Sequence, residues 1–587
     1  MTKKLIGLSL VAGAVLAGCA NQPTTASVQK HTVEFQEVSV PMTDKEKREV
    51  RASKQVTIDG KTYPIDFHVI ARSGQKIGDG IFGLLYDKDG NPLKNADGSL
   101  RYSNSNDFTS LIPVGDKIFM INHFESRPAA MYITEIKKLA DGNLKAVNTK
   151  NIDFSEYNGL WVPCAGSITP WNTHLGSEEY EPNAKKVKAD GSINAYYNTM
   201  GDYFGGNLKA LNPYDYGWTP EIKVLNEKGD VKVSKHYAMG RFAHELAYVM
   251  PDKKTVFLSD DGTNVSIFMF IADNEGDLSS GTLYAAKWFQ QSDKNGGKAA
   301  LGWVNLGHST NAKIKAALDK KLKFSDIFEE TKAEDDEHMA INTSAGVEFL
   351  KVKDGMDEVA SRLESRRYAA LQGATTEFRK MEGITYNPNE NVVYIAMSSI
   401  GKGMEDNKKK GKPNPKYDKL GNNDIRLPYN PCGTVYELAL SSSAYDLNGK
   451  KINSAYVPTK MEGLVSGFVD KSIKGNKCSV TSLANPDNVT FIPNSSTLLI
   501  GEDTGSGHQN DYIWSFNTDK KKLTRIETTP YGSETTSLYF INNIKGNGYI
   551  MSVVQHPYGE SDQDKARSKD EKRAYTGYIG PLPVINK

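Results

Sequence analysis

One pattern recurs along this chain and limits its fold more than any other feature. A short apolar run is followed by a turn of Pro, Asn or Asp, a β-branched run, then acids and glycine, then another β run. Residues 245–271 read ELAYVMPDKKTVFLSDDGTNVSIFMFI. Residues 382–401 read EGITYNPNENVVYIAMSSIG, with GTVYELAL arriving only at 433–440. The same order returns at 487–516 and 534–556. Residues 116–136, DKIFMINHFESRPAAMYITEI, give the later part of such a unit. Residues 162–182, VPCAGSITPWNTHLGSEEYEP, give another, with EIKVL (221–225) as a candidate outer strand. About six units of short strands and tight turns predict an all-β protein, a six-bladed β-propeller. A β-sandwich with similar turns is the competing architecture. Irregular spacing requires insertions. The segment 309–375 has helical periodicity, and 401–419 is a basic loop.

Polar residues fall at two fixed places in these units. The first lies just before the inner strand: Cys164, Glu245, Glu382, Asp487 and Glu534. The second lies just after the second β run: Asn122 and Glu125, Glu178 and Glu179, Asp260 and Asp261, Glu502 and Asp503. Equivalent positions on successive blades converge on the channel. Carboxylates gathered there must be neutralised by cations or hold their protons, because an unpaired buried charge is very costly. Carboxylates and Asn suit hard ions such as calcium, and a thiolate suits a transition metal. Arg379 and Lys380, just ahead of Glu382, are placed to hold a phosphate. Individually these are ordinary turn or core residues, and His174, His244 and His508 read as satisfied hydrogen-bonding groups; the shared register lifts the set.

The N-terminus, MTKKLIGLSLVAGAVLAGCANQ, joins Lys3 and Lys4 to a short apolar run and the box Leu16-Ala17-Gly18-Cys19. It resembles a bacterial lipoprotein signal over 1–18, with Cys19 lipidated and 19–50 a polar tether. Ala20, rather than Asp, after the Cys resembles an outer-membrane address. The rest, 51–587, reads as one domain. Lys+Arg 72 against Asp+Glu 71 leaves a net charge of +1, which gives no reason to expect a nucleic-acid surface. A monomer is expected. With Cys19 taken by lipid, Cys164, Cys432 and Cys478 remain in an oxidising compartment. Cys432 and Cys478 should share one fate, paired or free, and Cys164 should pair with neither.

CAGSITPWNTHLGSEEYEP, GRFAHELA, the SDDG turn, RKMEGITYNP, ANPDNV, GEDTG and SVVQHPYG together resemble the PhoX-type alkaline phosphatases, in order, from about residue 100 to the end. The resemblance implies a six-bladed propeller with Fe3+ and Ca2+ that hydrolyses phosphate monoesters. It implies Cys164 as an iron ligand, with Glu245, Glu382 and Asp487 completing the metal set. Asn122, Glu178 and Glu179 match positions around calcium, and Asp260 and Glu502 join them by register. Two departures stand out. The family commonly carries a twin-arginine signal, whereas Lys3-Lys4 and the lipoprotein box imply export unfolded and metal loading outside the cytoplasm. The Arg expected two places before the catalytic Glu is Lys380 here, with Arg379 one further back. Two other functions compete: a calcium-dependent propeller lactonase or esterase, which has no need of Cys164, and a non-catalytic surface propeller with structural metals.

Overall fold

Strict alternation with no polar face decides how the recurring unit packs. In Lys117–Phe124, Ile118 and Met120 enter one hydrophobic cluster, while Phe119 and Ile121 enter the next. A strand apolar on both faces must be covered on both faces. The computed structural model, which describes residues 30–586 except 415, 419 and 561, meets this demand with stacked antiparallel sheets. The leader expected over 1–18 and Cys19 lie outside the described residues. The protein is all-β with inserted helices, as expected.

Six four-strand arrays follow one another. Their first strands are Asn106–Val114, Ser167–Ile168, His244–Val249, Met381–Asn387, Pro486–Ile492 and Glu534–Ile544. The third and fourth arrays are joined edge to edge through Lys298–Thr310, making one nine-stranded sheet. Each first strand packs beside the next, and the sixth returns to the first, so the order closes on itself. The outer strand of the sixth array is Asp66–Arg72, which pairs with Tyr575–Leu582 and ties the two ends of the chain together. Residues 220–225 contribute a third strand, Pro220–Val224, to the second array.

Two boundaries differ from the sequence reading. The tether expected to run through residue 50 is part of the fold from His31 onward. Val33–Phe35 pairs with Gln55–Ile58, and Arg51–Ala52 extends the fifth array. Polar alternation there reflects a strand with one solvated face. The helical insertion at 309–375 is mixed: helices Asn311–Asp319, Asp357–Leu363 and Ser365–Leu371 flank a three-stranded sheet over 328–352. Cys432 and Cys478 form a disulfide and Cys164 is a buried free thiol.

Glu527 shows what a lone buried carboxyl does to such a stack. It lies in Lys522–Tyr531, fully buried, accepting from Ser552 Oγ, with Oε2 unpartnered. Burial pushes its pKa up to about 8. The folded state therefore holds a proton that the unfolded chain releases near the ordinary Glu value. Stability falls as pH rises through this window and is lowest above about pH 8. Glu527→Gln should remove a decline on the order of a few kcal/mol between pH 5 and 9. Urea melts of both proteins at several pH values check this. Parallel curves would show that Glu527 ionises freely in the fold.

Candidate metal centre

The same backbone irregularity builds the site on four of the six first strands. Each carries a bulge in which two residues oppose one on the neighbouring strand: between Asn106 and Thr109, His244 and Ala247, Met381 and Ile384, and Pro486 and Val489. The first bulged residue is Asp107, Glu245, Glu382 and Asp487 in turn. A bulge re-aims a side chain at the rim of a sheet. Repeated on successive sheets, it brings the acids together, and Cys164 joins them from the segment before Ser167–Ile168.

Three sets of donors overlap here: Asp107, Glu125 and Cys164; Cys164, Glu179 and Glu245; Glu245, Glu382 and Asp487. Within each set the donor atoms lie within 4.8 Å of one another. Cys164 Sγ lies 3.0 Å from Glu245 Oε1 and 3.3 Å from Asp107 Oδ2, and its one proton can be given to either. Because Cys164 and Glu245 each belong to two sets, neighbouring cations would share ligands. The electrostatics say the same. Burial, then neighbouring acids, push the carboxyls of Asp107, Glu179, Glu245 and Asp487 well above their ordinary range. Burial, then Asp107 and Glu245, push the Cys164 thiol up. Glu382 is raised to about 7, by burial first and then by Asp261. Asp107 Oδ1 and Asp261 Oδ1 are buried with no hydrogen-bond partner. Carboxylate oxygens plus one sulfur, with Asp107 Oδ1 unpartnered, fit a mixed group of hard and transition-metal cations.

The cationic groups differ from each other. Lys380 Nζ lies 3.1 Å from Glu382 Oε1 and 3.6 Å from Asp503 Oδ2. Burial works against its charge, but Glu382, Asp261 and Asp503 overcome this and hold its pKa well above the ordinary lysine value. The Arg379 guanidinium is unpaired, with Nε buried and unpartnered. Ser398 Oγ donates to Glu382, and Tyr180 donates to Asp261 Oδ2 at 2.8 Å.

Cys164, Glu245, Glu382, Asp487 and Glu179 are thus gathered in one place. Four other residues expected as ligands are engaged elsewhere. Glu178 accepts from Lys235 Nζ at 2.8 Å and from three backbone N–H groups. Asp260 makes a bidentate pair with Arg366, which also grips Glu181 and so ties the insertion to the site. Glu502 accepts from His508, Trp514 Nε1 and two backbone N–H groups. Asn122 donates to Thr109 inside the first array. For Glu178, Asp260 and Glu502 the next residue along the chain faces the cluster or its lysine instead: Glu179 in a donor set, Asp261 bonded to Tyr180, and Asp503 beside Lys380. His174, His244 and His508 are hydrogen-bonded away from the acids, apart from the His508 contact to Glu502.

Sequence reading missed Asp107. A signal for it exists: a Pro stands six places after each of Cys164, Glu245, Glu382 and Asp487, namely Pro170, Pro251, Pro388 and Pro493, and counting back six from Pro113 gives Asp107. The Pro lies within two residues of the end of the first strand in each of these arrays, so the interval measures the distance from the acid to the strand's far end.

The profile of the family described as "Alkaline phosphatase PhoX" matches residues 138–541, more than half of the chain. A solved structure of Pseudomonas fluorescens PhoX, in complex with the transition-state analogue vanadate, superposes with a TM-score of 0.59 at 17% identity, covering 94% of this chain and 99% of that one. A luciferin-regenerating enzyme (TM-score 0.31, 8% identity, 82% of this chain and 96% of that one) and a mutant Trypanosoma rangeli sialidase (0.30, 9%, 87% and 58%) are too distant to bear on the site. No curated protein sequence matches. Most of the acid cluster, from Cys164 to Asp487, falls inside the matched span, and the chain belongs to the PhoX family of alkaline phosphatases, enzymes that hydrolyse phosphate monoesters.

Proposed function

We propose that this protein is a six-bladed β-propeller phosphomonoesterase whose channel holds Fe3+ and Ca2+. The observation that carries the reading is the bulge repeated on four first strands, which delivers one acid each to a single buried cluster. The closed order of first strands supports the propeller. The sulfur of Cys164 supports a transition metal beside Glu245, and the all-oxygen neighbours support calcium. Such cations, when bound, supply Lewis acidity to the phosphoryl group.

The chain's own residues have definable parts. Glu245, Glu382, Asp487, Asp107, Glu125, Glu179 and Cys164 would hold the cations, the thiol and raised carboxyls giving up their protons on loading. Lys380, pinned between Glu382 and Asp503, presents a fixed positive charge where negative charge builds up on the phosphoryl oxygens during in-line displacement. Arg379, with unused donors, fits the same anion. Tyr180 keeps its hydroxyl on Asp261 and so orients that carboxylate. The Asp260–Arg366–Glu181 clamp fixes the loops that carry Asp261 and Glu179.

The leader would direct the chain to the bacterial cell envelope, with lipid on Cys19 anchoring it in the outer membrane facing the periplasm or the cell surface; small phosphate monoesters would be the substrates. A calcium chelator tests the reading. The soluble form starting after Cys19 should hydrolyse p-nitrophenyl phosphate best at alkaline pH, and the rate should collapse on chelation and return with added calcium. A rate indifferent to chelation would remove calcium from the working site.

A further inference from the structure

Among the described residues, nearly every arginine spends its guanidinium on a protein acceptor. Arg48, Arg51, Arg72, Arg101, Arg241, Arg362 and Arg366 donate to carboxylates, hydroxyls or carbonyls, as do Arg367, Arg426, Arg525, Arg567 and Arg573. Two do not. One is Arg379, beside Glu382. The other is Arg127, which makes no hydrogen bond or ion pair through its side chain and whose Nε is buried without a partner. A buried Nε with no acceptor is costly, and the remaining donors of a half-buried guanidinium stay available to a ligand.

Arg127 is also held still. Its guanidinium lies over the Tyr196 ring, 3.5 Å from the centroid. Tyr196 in turn packs edge-on against Trp161 at 5.8 Å and Tyr180 at 6.2 Å, and Tyr180 is bonded to Asp261 of the cluster. Arg101 donates to the Arg127 carbonyl at 3.0 Å and fixes the backbone. Two residues earlier, Glu125 belongs to the donor set with Asp107 and Cys164. Glu125 does not pair with Arg127; it accepts from Gln555 at 2.8 Å. Tyr180 and Tyr196 are 42% and 37% exposed, so this wall stands at the open mouth of the cluster. Arg127 lies in the loop between the second and third strands of the first array, and Arg379 immediately precedes the first strand of the fourth, halfway along the closed order of six.

We infer that Arg127, presented by the Tyr196 ring, is a substrate-binding residue that donates to an oxyanion of the phosphomonoester at the mouth of the site, across the ring from Arg379. A planar fork matches a phosphate, and stacking leaves its edge free to donate. The inference rests on the phosphatase reading, and the test separates the two.

The test uses the metal-loaded protein, with p-nitrophenyl phosphate as substrate and inorganic phosphate as competitive inhibitor. Arg127→Met should raise KM and the phosphate inhibition constant by roughly tenfold or more, as expected for a lost charge-assisted hydrogen bond, with metal content unchanged by elemental analysis. Arg127→Lys keeps the charge near Glu125 but loses the fork, and should still weaken phosphate binding severalfold. Inhibition constants within twofold of wild type in both Arg127 variants would overturn the inference. So would loss of metal from Arg127→Met with normal phosphate affinity in Arg127→Lys, which would assign the residue to the charge balance of Glu125. A wild-type protein that neither turns over the ester nor binds phosphate would instead defeat the phosphatase reading itself.

Discussion

Glu382→Gln should abolish turnover and release cations, while Glu390→Gln should change neither. Glu382 sits in the bulge of Met381–Asn387, shares a donor set with Glu245 and Asp487, and holds Lys380 at 3.1 Å. Replacing it removes one charge from a donor set that is linked through Glu245 to the next, so that a cation held there would lose a ligand, and it frees Lys380 from one of its two anchors. A fall of at least about 10²–10³-fold in kcat is expected from the loss of preorganised charge alone, and the departure of metal would deepen it. Glu390 belongs to the same array, in the turn at its far end, where it is exposed and pairs with Lys30 at 3.0 Å. An exposed pair of that kind contributes about 0–1 kcal/mol. Both changes remove one carboxylate at nearly constant volume, so the contrast isolates position. A Glu382→Gln protein with full metal and full rate would mean that the bulge does not define the site.

The second large effect concerns stability. Lys235 and Glu178 form an ion pair at 2.8 Å with neither side chain exposed. Lys235→Met would leave Glu178 buried with its backbone donors but no counter-charge, and should lower the unfolding free energy by about 3–5 kcal/mol. The neighbouring acids should then separate cleanly. Glu178→Gln should destabilise the fold with cation content unchanged, because its oxygens serve Lys235, Trp161, Gly217 and Trp218. Glu179→Gln should lose cation with a smaller effect on the metal-free fold. Denaturant melts in chelator, with metal analysis of the same preparations, distinguish the two. Equal metal loss in both variants would place Glu178 in the cluster after all.

The contrast between Glu178 and Glu179 shows how far the sequence could be read. The recurring strand–turn unit and the placement of Cys164, Glu245, Glu382 and Asp487 ahead of the first strands were legible, because turn chemistry and apolar runs mark where a strand begins. Which of two adjacent acids turns inward was not. That depends on which partners the folded chain brings up, Lys235 and three backbone N–H groups for Glu178 and the other donors of the cluster for Glu179, and these come from distant segments. Asn122, Asp260 and Glu502 went the same way as Glu178, into contacts between or within sheets. Asp107 was passed over because its unit was recognised only from its second strand onward, at residue 116. The insertion read as helical because 311–319 and 357–371 are; the sheet between them, Phe328–Thr331 with Met339–Thr343 and Gly346–Val352, lacks a continuous apolar run. Arg127 and Tyr196 carry no motif at all. Their pairing arises from a loop and the short helix Ala195–Asn198, which meet only in the folded protein.

The central claim is that a thiolate and repeated bulge acids hold a mixed group of cations that does the chemistry. Elemental analysis of the purified wild-type protein, run beside Glu382→Gln, addresses it most directly. The account predicts iron and calcium together in the wild type and depletion in the variant, with phosphatase activity lost in step. Calcium without any transition metal in a fully active wild type, or the same metals in both proteins, would contradict it.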